Sequence, residues 1–237
     1  DGATAPAKDL TAAMRPKPST GFFLKMSMEV AAAGQAKSSL NVQVKGRRLG
    51  TTTDLLYQIQ WPKDRKGEGV LIHWKDGKFD SGYTYKPGGD VVPLTRKDLL
   101  NPMFGSELTL LDTDMGFWDW EKQSDKGTGK VGKADCRIID LEPANSRPDG
   151  YRRVRAWIDP AKLVPMKIEK FTDAGLARVI VTTDIAKTDD GRFIPKEYTV
   201  SRSEAGPATK ISGTKQELVE FEDAQFTPEA MKVITIK

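Results

Sequence analysis

In the stretch Tyr151-Arg-Arg-Val154-Arg-Ala156-Trp157-Ile158-Asp159-Pro-Ala-Lys-Leu163-Val164-Pro165-Met166-Lys167-Ile168-Glu169-Lys-Phe171-Thr-Asp173-Ala-Gly175, apolar and polar side chains take turns along the chain. Val154, Ala156 and Ile158 alternate with Arg153, Arg155 and Trp157, and Met166 and Ile168 alternate with Lys167 and Glu169. Successive side chains of a strand point to opposite faces, so a period of two gives each segment one dry and one wet face. A turn after Asp159 joins the two strands. Asp173-Ala-Gly175 then supplies residues that tolerate the left-handed backbone angles of a tight hairpin. An antiparallel sheet wetted on one side is expected.

The same pattern extends outward in both directions. Phe22, Leu24, Met26, Met28 and Val30 share a face opposite Lys25, Ser27 and Glu29, and Leu40, Val42 and Val44 oppose Asn41, Gln43 and Lys45. Leu55, Tyr57, Ile59 and Trp61 continue it, and Val70, Ile72 and Trp74 oppose Leu71, His73 and Lys75. Less regular runs near 137–142, 177–185, 196–203 and 208–221 bring the expectation to about eleven strands. Turn residues at Asp76-Gly77, Asp173-Ala-Gly175 and Asp189-Asp-Gly191 predict an up-and-down order, and Gly127-Thr-Gly129-Lys130 reads as a further hairpin tip. Strands of about 8–11 residues, longer than the usual 5–6, favour a large curved sheet or partial barrel over a compact sandwich.

Helical signals are brief. Thr95-Arg-Lys-Asp98 resembles a capping box closed by Pro102, Ser106 can cap a segment carrying Leu108, Leu111 and Met115, and Thr227-Pro228 starts another short turn. Helices are expected to decorate or plug the sheet. Pro16 and Pro18 argue against one continuous helix before Gly21. The expected organisation is a partly flexible N-terminal segment, residues 1–20, followed by a single domain, residues 21–237.

Composition narrows the function. The 237 residues are 38% hydrophobic and 30% charged, with net charge +4 and a pI of about 9.0. Lys and Arg are scattered beside Asp and Glu, which reads as solvated strand faces and not as a nucleic-acid stripe. The one cysteine, Cys136, excludes an intrachain disulfide and a multi-Cys zinc site. The small, polar opening from Asp1 is what removal of a leader would leave. The longest apolar runs fall far below the roughly 20 residues needed to span a bilayer, so a soluble form that does not span the membrane is expected.

Candidate chemistry is sparse. His73, the only histidine, sits on a polar strand face, where a hydrogen-bonded structural role is favoured over catalysis. Gly105-Ser106-Glu107 lacks the Gly-x-Ser-x-Gly pattern of a nucleophile elbow. Asp112-Thr-Asp114 and Asp189-Asp190-Gly191 do not continue into a calcium loop and suit capping and turns. No cofactor, metal or catalytic residue is expected. The cluster Phe117-Trp118-Asp119-Trp120 has two readings: core packing, or a cavity wall shared with the Met and Leu side chains of the first strands. Acyl chains need such dry, adaptable walls, for which thioether side chains are well suited. The candidate wall comprises Leu24, Met26, Met28, Val42, Tyr57, Ile59, Ile72, Trp74, Leu111, Met115 and Trp118.

An ordered set of short motifs resembles the periplasmic outer-membrane lipoprotein-sorting protein family (LolA-like). It runs from Thr51-Thr-Thr-Asp-Leu-Leu-Tyr-Gln-Ile-Gln-Trp61-Pro62 through Val70-Leu-Ile-His-Trp74, Gly105-Ser106-Glu-Leu-Thr-Leu-Leu-Asp112 and Ala134-Asp135-Cys136-Arg-Ile-Ile-Asp-Leu141-Glu-Pro143. Tyr151, Trp157-Ile-Asp159, Leu163-Val-Pro165-Met-Lys167 and Asp173-Ala-Gly175 follow, then Ile194-Pro195-Lys196 and Phe226-Thr227-Pro228. The resemblance implies an incomplete, half-open antiparallel β-barrel whose concave apolar face is covered by short helices and holds acyl chains. It also implies a periplasmic, non-enzymatic carrier or chaperone working with a membrane-anchored donor or acceptor protein, and an early-strand arginine that latches a lid, with Arg47 and Arg48 nearest to that position. Two alternatives share the sheet: a signalling or interaction module that senses lipoproteins or binds a membrane-anchored regulator, and a scaffold filled by its own side chains.

Overall fold

The computed structural model describes residues 6–31, 37–145, 150–188, 191–214 and 216–234. One helix, α1 (Ala7–Ala13), precedes β1 (Ser19–Val30), β2 (Ser38–Leu49), β3 (Thr52–Trp61), β4 (Gly69–Lys75), β5 (Lys78–Tyr85) and β6 (Val92–Pro93). After a run of 3-10 turns come β7 (Lys122–Val131), β8 (Ala134–Glu142), β9 (Arg153–Asp159), β10 (Val164–Thr172), β11 (Gly175–Lys187), β12 (Phe193–Ser201), β13 (Ala208–Gly213) and β14 (Glu217–Leu218). They form one open sheet in the order β6-β5-β4-β3-β2-β1-β13-β12-β11-β10-β9-β8-β7, with β14 paired to β1. The up-and-down order read from the turns is present from β1 to β6 and from β7 to β12. Asp76 and Gly77, at φ 51° and 64°, form the tip between β4 and β5, and Asp173 and Ala174 lie between the paired Thr172 and Gly175.

Several local expectations are corrected. The described residues form fourteen strands, more than expected because β6 and β14 are too short to carry a period and β7 has almost no apolar residue. Gly127 is not a hairpin tip: it lies inside β7 at φ 92°, where the register with β8 shifts between Asp125 and Thr128. Its N–H donates to Asp125 Oδ1 at 2.8 Å, and the actual tip is Gly132-Lys133 between β7 and β8. Ser106 does not cap the segment carrying Leu111; a 3-10 turn at Leu110–Thr113 is capped by Thr109 and Asp112. Asp189 and Asp190 lie outside the described residues.

Two compact units divide the chain: Asp1–Pro16 with Met115–Lys210, and Lys17–Asp114 with Ile211–Lys237. In the first, β9 alternates as expected, with Val154, Ala156 and Ile158 buried. These residues stand in register with Leu141, Ile139 and Arg137 of β8. The opposite face is a charge ladder in which Asp140 accepts hydrogen bonds from Arg155 at 2.6 and 2.9 Å and from Arg153 at 3.2 Å. α1 buries Leu10, and its Thr11 hydroxyl donates to Gln123 Oε1 at 2.7 Å. The chain then leaves helical geometry before Pro16 and Pro18.

In the second unit both faces of β2, β3 and β4 are dry, which departs from the expected half-wetted sheet. One face carries the rows Met26–Val42–Ile59, Leu24–Val44–Tyr57–Val70 and Phe22–Gly46–Leu55–Ile72. The other carries Gln43–Gln58–Gly69–Tyr85, Lys45–Leu56–Leu71–Tyr83 and Arg47–Asp54–His73–Ser81. Polar side chains are buried on that second face because their hydrogen bonds are met there. Gln43 Nε2 donates to Gln58 Oε1 at 2.9 Å, and Gln58 Nε2 donates to the carbonyls of Met231 at 3.1 Å and Val233 at 3.2 Å. Phe226 and Met231 pack there with Leu56 and Leu71, flanked by Tyr83, Tyr85 and Phe221.

Gly46 is fixed by the ring above it: a Cβ there would stand 2.2 Å from Phe22 Cζ, whereas one on Gly213 would meet nothing within 4 Å. Gly46→Ala is therefore expected to lower unfolding free energy by about 1–3 kcal/mol through overpacking, while Gly213→Ala leaves it within about 0.5 kcal/mol or raises it slightly. Urea denaturation of the two variants separates these outcomes.

Candidate functional site

The apolar face of the second unit is the best-formed candidate site. Antiparallel register brings Met26 beside Val42 and Val42 beside Ile59, and the same alternation sets Ile72 beside Leu55. Met28, Ile59 and Ile72 are fully buried, and Met26, Val42 and Trp74 nearly so. Leu24 and Tyr57 are only half-buried, which makes the row Leu24–Val44–Tyr57 the least covered part of the face. The sequence-predicted residues of β1 to β4 therefore form one continuous surface.

Irregular chain covers this surface near β4 and β5. A Cβ on Gly82, which pairs with Ile72, would stand 3.1 Å from Leu94 Cδ1. The Leu94 N–H donates to the Gly82 carbonyl at 2.8 Å. Trp74 Nε1 donates to Thr113 Oγ1 at 3.0 Å, and Thr113 Oγ1 donates to the Leu110 carbonyl at 2.7 Å. Between these ties the segment buries Leu99, Met103, Leu108, Leu110 and Leu111. Its backbone is stabilised locally: Asp98 accepts from the Thr95 N–H at 2.8 Å and hydroxyl at 2.7 Å, and Asp112 accepts from the Thr109 N–H at 2.9 Å and hydroxyl at 2.7 Å. The Thr109-x-x-Asp112 box was present in the sequence, but the stronger helical spacing after Ser106 obscured it. Leu94, Leu99 and Met103 carried no signal.

Leu111 lies in this cover, whereas Met115 and Trp118 belong to the other unit. Met115 is exposed and Trp118 wholly buried, its ring 4.6 Å from that of Phe117. Trp118 Nε1 has no hydrogen-bond acceptor among the described residues.

The histidine is part of an ion-pair row on the opposite face. His73 Nδ1 lies 2.6 Å from Asp54 Oδ1, and Arg47 Nε donates to Asp54 Oδ2 at 2.6 Å. Arg47 Nη1 also donates to Asp223 Oδ1 at 2.6 Å. Ser81 is opposite His73 in register, but its hydroxyl is directed to Asp80, at 3.5 Å. The row thus anchors side chains and does not assemble a nucleophile–base bond of the kind a hydrolase uses. Arg48, the other early-strand arginine, lies over the Phe22 ring at 4.6 Å. Burial pushes the Cys136 thiol up to about 11, which keeps it protonated and unreactive at neutral pH. No group of three or more His, Cys, Asp or Glu side chains suited to a metal occurs among the described residues, and no helix among them is long and apolar enough to cross a membrane.

Several solved structures share this open antiparallel fold. A LolA superfamily protein from Nitrosomonas europaea is similar at TM-score 0.72 and 16% identity, covering 95% of this chain and 99% of its own. A DUF1329 family protein from Desulfovibrio piger is similar at TM-score 0.84 and 19% identity, covering 95% and 97% of the two chains. A Vibrio parahaemolyticus domain described as a candidate outer membrane lipoprotein-sorting protein is similar at TM-score 0.82 and 17% identity, covering 96% and 98%. No curated protein sequence matches the chain. A family profile described only as an "-like" uncharacterized protein matches residues 51–233, and the chain belongs to that family.

Asp54, on the opposite face, makes the stability of the unit depend on pH. Burial alone would raise its pKa, but the hydrogen bonds from His73 and Arg47 outweigh it and hold the carboxyl below its ordinary 3.8. A carboxylate with a depressed folded-state pKa contributes stability above its unfolded pKa and loses it as pH falls through the folded value. Asp54→Asn is therefore expected to be less stable than wild type at pH 7, with the gap shrinking as pH drops below 3.8. Urea midpoints measured from pH 7 to pH 2.5 check both sign and window.

Proposed function

We propose that this chain is a periplasmic, non-enzymatic carrier that shields lipid or lipoprotein acyl chains on the apolar face of β1 to β4. The observation that carries the reading is a broad methionine-containing face covered by single turns and not by a second sheet. Cover and cargo are close to balanced in energy. Five buried apolar side chains in the cover contribute roughly 1.5–3 kcal/mol each, or about 7–15 kcal/mol together. An acyl chain regains roughly 0.8 kcal/mol per methylene, so about a dozen methylenes return about 10 kcal/mol. An exchange so nearly even favours a cover that cargo displaces and that expels cargo again when a membrane-anchored partner binds. Met26 and Met28 help because their flexible thioether chains repack around different ligands. The similarity of fold to lipoprotein-sorting structures supports the same reading.

Delipidated full-length protein is expected to bind a fluorescent fatty acid or lipopeptide, and native material to yield a lipid on organic extraction and mass spectrometry. Failure of the correctly folded protein to bind any such probe would overturn the proposal. Leu24→Glu, placed on the half-exposed row, should weaken binding about tenfold or more through the desolvation of a carboxylate, with stability changed by only about 1 kcal/mol.

The cover should also respond to loss of its side-chain tie. Trp74→Phe keeps most of the ring and removes the hydrogen bond to Thr113, so faster probe uptake and faster amide exchange across residues 94–113 are expected. A change in equilibrium affinity of less than about threefold would separate this gating effect from damage to the wall.

A further inference from the structure

Lys45 is a buried cation that lacks a counter-charge. It stands on β2 beside Leu56 of β3 and Phe23 of β1, is 6% exposed, and makes no hydrogen bond or ion pair among the described residues. Its Nζ lies 5.9 Å from the centroid of the Phe221 ring. Burial lowers its pKa from 10.5. Removing an ammonium from water is costly, and one phenyl face returns only a small part of that cost. As a purely structural residue, Lys45 is a net cost.

A second cation is close by. Arg47 lies two residues further along the same strand face, about 7 Å away at the Cα. Its guanidinium is 4.9 Å from the Phe226 ring centroid, and the rings of Phe221 and Phe226 meet edge to face at 5.8 Å. Each cation therefore lies against one ring of a single ring pair. Asp54 holds Arg47 from within the sheet, while its outer partner is Asp223, whose side chain is 95% exposed. Asp223 belongs to a strap, residues 217–226, that also carries Glu217, Glu220 and Glu222. The strap lies directly on β1, since a Cβ on Gly21 would stand 1.8 Å from the Val219 carbonyl oxygen.

We propose that Lys45 and Arg47 form an anion site beneath the 217–226 strap that takes a phosphate group, with the Asp223 carboxylate as its internal stand-in. Asp223 serves Arg47 through a single oxygen, Oδ1 at 2.6 Å, and leaves Lys45 unserved. A tetrahedral phosphate offers further oxygens and up to two charges, so it bridges a planar guanidinium and a point-like ammonium. Displacing Asp223 returns that carboxylate to water, where it is already almost wholly exposed. The site is on the opposite sheet face from the acyl surface and stands or falls independently of the carrier reading.

The test is calorimetric titration of the full chain with inorganic phosphate and, separately, with dihexanoylphosphatidylglycerol below its micellar concentration. Asp223→Asn should bind at least one probe about tenfold more tightly than wild type, or about 1.4 kcal/mol. Lys45→Met should abolish binding while keeping the urea midpoint at or above that of wild type. Binding of phosphate alone assigns the site to a free anion, and binding of the phospholipid alone assigns it to a headgroup; either supports the proposal. In wild type, saturating probe should speed amide exchange across residues 217–226, a readout that does not depend on any variant folding. Folded Asp223→Asn that binds neither probe, binding that survives Lys45→Met, or unchanged strap exchange at saturation overturns it.

Discussion

An apolar sheet face must be hidden from water, and in the β1–β6 unit irregular chain hides it. Such a cover has no ladder to occupy its backbone donors and acceptors, so it must satisfy them locally or lose in hydrogen bonds what it gains in burial. The reciprocal boxes of Thr95 with Asp98 and Thr109 with Asp112 are the solution on one face. Glu222 with Gln225 repeats it on the other. Each box fastens a single turn to itself and leaves the turn's apolar side chains free to face the sheet. The cover is thus assembled from small self-contained pieces joined to the sheet by few polar ties.

The two faces of that unit differ in how they are closed. On the apolar face, burial of leucine and methionine supplies most of the attraction, which is non-directional and survives repacking. On the other, amides and ions fix the C-terminal segment by direction: Gln58 reaches two successive backbone sites, and Arg47 spans from the sheet to Asp223. A cover held by dispersion and hydration can slide and re-form without a fixed register. One held by geometry either docks in register or lets go. The same sheet therefore supports an adaptable surface and a specific one, back to back.

Much of the architecture was legible because a period of two is unambiguous when one face is apolar. β1 and β9 could be read almost residue by residue, and Asp76-Gly77 and Asp173-Ala-Gly175 marked the hairpins through their backbone preferences. β7 was missed because an edge strand with solvent on both sides, Lys122 to Val131, has no apolar period to show. The wetness of the Gln43, Gln58 and His73 face was misjudged for a different reason. Residue type reports the cost of burial, but only the fold shows whether a partner meets it, and the carbonyls that accept from Gln58 lie more than 170 positions away. The candidate wall was legible in β1 to β4. Its cover was not, since Leu94, Leu99 and Met103 sit in a segment whose order comes from capping and tertiary packing.

The margins of the sheet have a bearing on the crowded conditions in which such a protein must persist. An open sheet leaves two strands with unsatisfied backbone edges, each a template on which another chain can grow. Here β6 is two residues long and ends in Pro93, which has no N–H to offer. At the other margin β7 is bent by the Gly127 bulge and carries Lys122, Lys126 and Lys130. A growing β-stack would have to start on a stub at one side and cross a kinked, charged strand at the other. The molecule can therefore keep its sheet unclosed without recruiting its own copies into fibrils.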